Sequence, residues 1–292
     1  MTSDALTELS QALAARAEAA RGSVRAIRGE HRGLSGILWQ SDVLVTSAQS
    51  LPKGETFSVV SPDGGAQDAA LAGVDRATNI AVLKLKDSPQ GKPLLTRVPS
   101  LGELVLGVGA DHEGHVSVRL GTVHALGDAW HSRMGGNIDR RIALDVRLAR
   151  FEEGGPIFDV NGGFVGMSTF APRRRVIAIP AATLERVVPL LLKDGRVARG
   201  WLGVALQPVA APEAFRGESR YALMAMAVAA DGPAAKAGLL AGDIVLGVDG
   251  HGLRGLMAKL GPDSIGRRIE LRIARSGAIQ NLPLTIEARP AA

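Results

Sequence analysis

The most distinctive stretch of this chain runs from Asp145 to Met167 and contains the carboxylate residue Glu153. Glu153 directly precedes Gly154-Gly155-Pro156, and two apolar runs then flank a turn at Asn161-Gly162-Gly163. Apolar runs on either side of an Asn-Gly turn are typical of a β-hairpin. A carboxylate can in principle act as a nucleophile. The stretch therefore predicts a loop that carries Glu153, followed by a tight hairpin.

The same stretch resembles the active-site segment of trypsin-like serine proteases of the bacterial HtrA/DegP family. In that family an aspartate leads to the motif N-S-G-G-P, two apolar residues, an aspartate, a tight hairpin and V-V-G-I. The positions that match are Asp145, Gly154, Gly155, Pro156, Asp159 and Gly166. The position of the nucleophilic serine holds Glu153 instead.

Two further segments mark the other members of the family's catalytic triad. The run from Val45 to Ser50 resembles the turn T-N-A-H-V, so that Gln49 stands at the histidine position. The run from Asp75 to Lys84 resembles D-x-x-x-D-L-A-V-L-K, so that Asn79 stands at the aspartate position. The resemblance covers about residues 33 to 289.

These replacements change the chemistry that the site can perform. The amide of Gln49 cannot take and return a proton near neutral pH. Asn79 cannot supply a negative charge, and that change alone typically costs about ten-thousand-fold in such enzymes. Phe151 and Glu152 replace the Gly-Asn pair before the nucleophile, which predicts a degenerate oxyanion region because Phe disfavours backbone angles that Gly tolerates. We expect Gln49, Asn79 and Glu153 to converge, with the Gln amide donating to the Glu carboxylate.

On these residues the chain is expected not to be an enzyme, but a protein-binding relative of proteases that acts as chaperone, adaptor or scaffold. Two alternatives stay open: an endopeptidase that uses unorthodox residues, and a regulator with one dedicated partner. The hydroxyls near the relevant turns are expected to be ordinary polar residues: Thr46, Ser47, Ser50 and Thr78. The resemblance also implies binding of unfolded polypeptide and assembly as a homotrimer.

No metal or cofactor is expected. The run His112-Glu113-Gly114-His115 lacks the HExxH spacing of zinc proteases, and Gly114 favours a loop. The triplet Arg173-Arg174-Arg175 is interpreted as a solvated loop.

The segment after residue 199 resembles a PDZ domain of the HtrA type. The most specific match is Ala234-Ala235-Lys236-Ala237-Gly238-Leu239, followed by Gly242-Asp243. Such domains bind an extended peptide, usually a C-terminus, by adding it to a sheet edge. The resemblance implies that the carboxylate-binding loop is Trp201-Leu202-Gly203-Val204. A facing helix is expected near Leu253 to Leu260, with Leu256 and Leu260 one turn apart.

Composition bounds the partners and the compartment. The 292 residues carry a net charge of +5, no cysteine and 3% aromatics, too few for a surface that stacks single-stranded nucleic acid. We therefore expect protein or peptide C-termini and unfolded polypeptides as partners, and no nucleic acid. The chain contains no run of 18 apolar residues, so no membrane span is predicted. The first residues lack the features of a signal peptide, so a cytoplasmic protein is expected, or a periplasmic one if a leader was removed.

Short apolar runs separated by Gly, Pro, Asp and Asn predict a mainly β fold. Together with the resemblance they predict a trypsin-like pair of six-stranded β-barrels followed by an α+β PDZ domain. The expected divisions are an N-terminal helical segment at 1–23, the protease-type domain at 24–196 and the PDZ domain at 197–292.

Overall fold

A computed structural model describes residues 3–29, 33–87, 94–211, 213–215, 220–253, 256 and 258–290. The chain divides into two compact units. One comprises Met1–Ser132 and Asn137–Val197, and the other Arg133–Gly136 and Ala198–Ala292.

The first unit contains two closed six-stranded barrels. The strands of the first barrel pair in the order β1-β2-β3-β6-β5-β4, with bounds β1 Val24–Ile27, β2 Leu34–Gln40, β3 Val43–Ser47, β4 Thr56–Val60, β5 Ala66–Asp75 and β6 Ile80–Leu85. The strands of the second pair in the order β11-β14-β13-β12-β7-β8, with bounds β7 Leu104–Ala110, β8 Val116–Gly127, β11 Arg141–Asp145, β12 Pro156–Asp159, β13 Phe164–Phe170 and β14 Val176–Pro180. The short strands β9 (Trp130–His131) and β10 (Asn137–Ile138) pair with each other. The predicted double barrel and the hairpin after Pro156 are confirmed.

Aliphatic side chains fill both barrels, as the scarcity of aromatics requires. Ile27, Leu44 and Leu83 are fully buried in the first barrel, and Val105 and Ile157 in the second. A further core cluster lies where the barrels meet, built around Ile37, Val82, Val108 and Phe164. Loops at that seam are therefore held by packing from both sides.

Two α-helices flank the barrels. The helix α1 spans Ser3–Arg21, and Leu6 and Leu9 on it are about half exposed, at 56% and 48%. The helix α2 spans Ala181–Asp194 and buries Leu184, Val187, Val188 and Leu191. It ends at Gly195, whose φ of 68° and N–H bond to the Leu191 carbonyl form a glycine cap.

The second unit is built on a five-stranded sheet in the order β16-β17-β18-β19-β20. Its strands are β16 Val204–Ala210, β17 Tyr221–Val228, β18 Ile244–Val248, β19 Arg268–Arg275 and β20 Ala278–Thr285. A separate pair joins β15 (Gly200–Trp201) to β21 (Glu287–Ala288), and a four-residue helix α3 spans Pro233–Lys236. Short 3₁₀ turns complete the chain at Arg150–Glu152, Pro172–Arg174, Glu213–Phe215, Ala258–Leu260 and Pro262–Ser264.

One predicted element differs. Of the segment Leu253 to Leu260, residues 254, 255 and 257 lie outside the described part, and the remainder ends in the 3₁₀ turn Ala258–Leu260 instead of an α-helix. Gly255 interrupts this segment, and Gly252 and Gly261-Pro262 flank it; both residue types disfavour helix interiors. Leu256 is 6% exposed in the core, and Leu260 packs beside that core. Their proposed role in the peptide groove remains a prediction.

Candidate functional site in the barrels and the PDZ sheet

Glu153 is positioned by the two glycines that follow it. A Cβ at Gly154, which has φ +86°, would lie 2.3 Å from the Ser35 carbonyl oxygen, and a Cβ at Gly155 would lie 2.0 Å from the Val108 carbonyl oxygen. Only glycine permits the chain to pass this close to both barrels. The Gly154 N–H also donates to the Ser168 carbonyl at 3.0 Å. Glu153 is therefore fixed at the seam, where its side chain is 3% exposed.

The carboxylate of Glu153 is a hydrogen-bond centre. Its Oε1 accepts bonds from Gln49 Nε2 at 2.5 Å, Thr169 Oγ1 at 2.8 Å and Ser47 Oγ at 3.0 Å. Its Oε2 accepts a bond from Ser50 Oγ at 2.5 Å. The expected bond from the Gln49 amide is thus present. These side-chain donors are all neutral, so hydrogen bonds from amide and hydroxyl groups compensate for the burial of the carboxyl group.

Asn79 joins the same cluster indirectly. Its Nδ2 donates to Thr169 Oγ1 at 2.8 Å, and its Oδ1 accepts the Gln49 backbone N–H at 2.7 Å. The residue has φ 61°, a left-handed conformation that Asn adopts more readily than most residues. Asp75 holds the preceding turn by accepting the Thr78 hydroxyl at 2.7 Å. Gln49, Asn79 and Glu153 therefore converge, with Thr169 bridging the last two.

The neighbouring Glu152 has a different role. It is 1% exposed, and its carboxylate accepts bonds from Arg119 Nε at 2.9 Å, Ser117 Oγ at 2.6 Å and the Ala149 N–H at 2.5 Å. These contacts tie the loop before Glu153 to β8. Phe151 is half-buried, and its carbonyl accepts the Ser35 hydroxyl at 2.7 Å.

Backbone N–H groups of this loop form hydrogen bonds within the loop itself. Those of Glu152, Glu153 and Gly155 point to carbonyls in the same turn, at 3.1, 3.4 and 3.3 Å. An oxyanion hole needs donors that face the substrate. Phe151 and Glu152 were predicted to form a degenerate oxyanion region. In the structure, the N–H groups around them form hydrogen bonds within the loop.

Sequence reasoning missed three members of the cluster. Ser47 and Ser50 were expected to be ordinary polar residues, yet both hydroxyls bond to Glu153. Thr169 was not singled out at all. The signal for it was available in the hairpin, since pairing of Pro156 with Met167 brings the residues before Pro156 alongside those after Met167.

The loop between β7 and β8 gathers possible metal ligands. Ligand atoms of Asp111, Glu113 and His115 lie within 4.8 Å of one another. Asp111 accepts the backbone N–H groups of Glu113 and His115 at 2.9 and 3.0 Å. Burial opposes the ionisation of Asp111, but these bonds outweigh it and keep its pKa below the ordinary value. The turn's own hydrogen bonds account for the cluster, and we assign no metal to it.

The predicted carboxylate-binding loop lies at the start of an edge strand. Gly203 has φ +75°, and the carbonyls of Leu202 and Gly203 accept the N–H groups of Ala234 and Ala229, each at 2.8 Å. Because C=O and N–H point to opposite sides of a trans peptide, the N–H groups of Gly203 and Val204 point away from these partners. β16 follows directly, and within the described residues no strand pairs with its outer edge. Trp201 is half-buried in β15, opposite Glu287.

Comparison with known proteins identifies the class of each unit. A trypsin-like peptidase domain model matches residues 34–167, and a PDZ domain model matches residues 200–286. Taken with the double barrel and the edge-strand sheet, these matches define a trypsin-like peptidase domain joined to a PDZ domain. The chain belongs to the HtrA/DegP-like family.

Similar proteins support this assignment. A probable periplasmic serine endoprotease DegP-like from Bartonella henselae is 34% identical over 275 residues, which cover 88% of this chain and 53% of that protein. The protein of the same description from Rhizobium meliloti is 32% identical, covering 92% and 56%. The chain thus spans about half the length of the curated relatives it matches. The crystal structure of the serine endoprotease from Yersinia pestis has a TM-score of 0.70 at 25% identity, covering 94% of this chain and 98% of that one. The HtrA-type protease AlgW with tripeptide has a TM-score of 0.67 at 26% identity, covering 95% and 98%.

These relatives contradict the prediction that the chain is not an enzyme. The proteins it matches are named serine endoproteases or HtrA-type proteases. The sequence argument rested on the three triad positions and interpreted Ser50 as an ordinary polar residue. The Ser50 hydroxyl lies 2.5 Å from the Glu153 carboxylate. The chain is accordingly classed with proteases.

The expected location also changes. The curated relatives are named periplasmic, which gives no support to the cytoplasmic interpretation. No helix among the described residues is long and apolar enough to cross a membrane.

Proposed function

We propose that this HtrA-type protein captures the C-terminal ends of polypeptides along β16 of its PDZ domain, in the periplasm. The observation that carries the proposal is the edge position of β16, directly after the left-handed Gly203. Backbone groups of an edge strand can pair with an added peptide, and inward-facing N–H groups of the loop can hold its carboxylate. A solved relative is described as an HtrA-type protease with tripeptide, which is consistent with peptide capture.

The test is binding of a labelled decapeptide that ends in an apolar residue, measured by fluorescence anisotropy. We expect the free carboxylate form to bind at least tenfold more tightly than the C-terminal amide, because one charged hydrogen-bond acceptor is lost. Equal affinity for the two forms would argue against capture of C-termini.

A pair of glycine variants assigns the binding to this loop. In Gly203→Ala the new Cβ would lie 2.9 Å from the Gly232 Cα, so that the loop must move. Gly277→Ala is the matched control, because Gly277 has φ +82° and open space around it. We expect the first variant to lose the preference for the carboxylate and the second to keep it. Loss of that preference in both would show a general effect of strain.

We propose a second function for the barrel site, peptide-bond hydrolysis with Ser50 as nucleophile and Glu153 as proton acceptor. The observation that favours it is the 2.5 Å separation of Ser50 Oγ and Glu153 Oε2, since a nucleophile needs a base within hydrogen-bond reach. Ser50 is exposed, whereas Glu153 is buried beneath it. The Ser50 oxygen forms an ester with the carbonyl carbon, the C–N bond breaks, and the proton passes through Glu153 to the amine. Water then hydrolyses the ester.

Covalent labelling distinguishes this proposal from peptide capture. A fluorophosphonate probe should modify Ser50, as located by mass spectrometry, and casein cleavage should fall at least a hundredfold in Ser50→Ala. Ser41→Ala, an exposed serine of the same barrel, is the control and should keep both signals. Cleavage that continues unchanged in Ser50→Ala would exclude Ser50 as the nucleophile.

A further inference from the structure

Exposed arginines lie in the loops that lead into or follow the segments of the Glu153 cluster. We name this group the arginine rim and define it as Arg147, Arg150, Arg173, Arg174 and Arg175, all of them exposed. Arg150 begins the 3₁₀ turn that ends one residue before Glu153. The other four lie in the loops at one end of β11 and β14.

The register of the second barrel places these loops side by side. β11 and β14 are antiparallel, with Leu144 opposite Val176. Arg175 directly precedes Val176, and Arg147 follows Leu144 by three residues. The carbonyl of Arg175 accepts the Ala171 N–H at 2.8 Å, which closes the loop from Ala171 to Arg175.

The loop is connected directly to the Glu153 cluster through Phe170. The Phe170 carbonyl accepts Gln49 Nε2 at 3.1 Å, and its N–H lies 3.5 Å from Glu153 Oε1. The guanidinium of Arg174 lies over the Phe170 ring, 5.1 Å from its centroid. A cation–π contact of this kind orients the planar guanidinium. One residue therefore carries an arginine on its ring and the cluster on its backbone.

The backbone of the loop is strained. Arg173 has φ 62° and Arg174 has φ 56°, two consecutive non-glycine residues in the left-handed region. Such conformations persist where the surroundings impose them, and they concentrate at functional sites.

The local charge is strongly positive. The exposed Asp145 and the buried Glu153 stand against the five arginines of the rim, while Glu152 is already paired with Arg119. Clustered arginines raise the local concentration of anions and bind carboxylates through paired N–H groups.

We infer that the arginine rim binds acidic side chains of an extended polypeptide beside the Glu153 cluster. An acidic polypeptide fits better than a nucleic acid, because the chain is poor in the aromatic residues on which bases stack. Carboxylates match the bidentate geometry of guanidinium groups. The inference concerns the barrel unit and is independent of peptide capture by the PDZ domain.

The test uses peptides that the PDZ loop cannot hold by a carboxylate. Two labelled, C-terminally amidated decapeptides are compared, one with alternating Glu and Ala and one with alternating Gln and Ala. At 50 mM salt we expect the Glu peptide to bind the full chain at least tenfold more tightly, and the difference to shrink at 500 mM. Equal binding of the two peptides would overturn the inference.

Variants then assign the effect to the rim. The double variant Arg173→Asn/Arg174→Asn removes two charges. It introduces asparagine, a residue that tolerates the left-handed region. We expect it to weaken binding of the Glu peptide about five- to tenfold, since exposed ion pairs are individually weak. Arg140→Gln/Arg141→Gln is the control, because it removes two exposed charges at the opposite end of β11. Equal weakening by both pairs would show a response to net charge alone and would overturn the inference.

Two further measurements test whether the effect is specific to the arginine rim and to acidic polypeptides. Binding of the free-carboxylate peptide at the PDZ loop should be unchanged in the Asn variant, which shows that the loss is confined to the barrel unit. The second readout is binding of a single-stranded DNA of ten nucleotides. If it binds as tightly as the Glu peptide, the rim binds polyanions in general, which would contradict the choice of an acidic polypeptide.

Discussion

The barrel site and the PDZ site are built from different parts of the polypeptide. In the barrels, side chains make the site: Glu153 is held by an amide and three hydroxyl groups, at a seam where glycines permit two cores to meet. In the PDZ unit, the backbone makes the site, through the left-handed Gly203 and the outer edge of β16. A site made of side chains changes its chemistry with each substitution, whereas a site made of backbone tolerates many side chains but depends on loop shape.

The largest expected effect tests the close packing of the barrel seam. Gly154→Ala should lower the free energy of unfolding by about 3–5 kcal/mol, because the new methyl group would collide with the Ser35 carbonyl and the Thr46 hydroxyl. Gly162→Ala shares the same left-handed backbone, with φ +85° against +86°, but has open space around it. It should cost about 1–2 kcal/mol. Urea unfolding of both variants checks the difference, and equal losses would mean that the seam is not tightly packed.

The next effect tests how far the chemistry of the barrel site depends on side chains alone. The triple variant Gln49→His/Asn79→Asp/Glu153→Ser should cleave casein at least a hundredfold faster than the natural chain, about 2.7 kcal/mol in activation free energy, because it supplies a full triad. A double variant that keeps Glu153 is the control. If the triple variant is no faster, then the internally bonded N–H groups near Glu153, and not its side chains, limit the site.

A smaller effect tests how the PDZ backbone is held. Asp243 is 3% exposed and accepts two bonds from Arg275, at 2.7 and 2.6 Å, and the Leu240 N–H at 2.7 Å. Burial opposes its ionisation, but these bonds and the charge of Arg275 outweigh burial, so that its pKa lies below the ordinary value. Its stabilising contribution is therefore present above the unfolded pKa of about 3.9, and is lost as pH falls through the folded pKa.

Replacement of this carboxylate should remove that pH dependence. We expect Asp243→Asn to cost about 1–3 kcal/mol at pH 7 and much less near pH 2, as measured by urea unfolding at both values. Asp231→Asn, an exposed aspartate before α3, should change little at either pH. A difference between Asp243→Asn and the natural chain that is the same at both pH values would show that the ion pair is not the cause.

The sequence was most informative where glycine and turn residues fix the backbone. The Gly154-Gly155-Pro156 run and the Asn161-Gly162 turn predicted the hairpin. The position of Gln49 against Glu153 followed from matching segments. These features are local, so a short window of sequence contains the physical cause.

Other features required contacts between distant segments. Ser50 and Thr169 are separated by 119 positions in the sequence, and only the contact between the two barrels brings both hydroxyls to Glu153. The described residues around Leu256 do not form the expected α-helix for a different reason, because the apolar spacing was weighed above the interrupting Gly255. The triplet Arg173-Arg174-Arg175 of the arginine rim was interpreted as a solvated loop, since sequence alone does not show that Phe170 joins it to the cluster.

The edge strand β16 also contains a proline, Pro208, four residues after Val204. A proline has no N–H, and in sheets it is placed where that missing donor faces away from the ladder. An added strand can therefore pair with the first half of β16, but Pro208 offers it no N–H donor. Pro208 in this way shortens the open edge of β16 and limits strand pairing between copies, the route by which open sheet edges lead to aggregation.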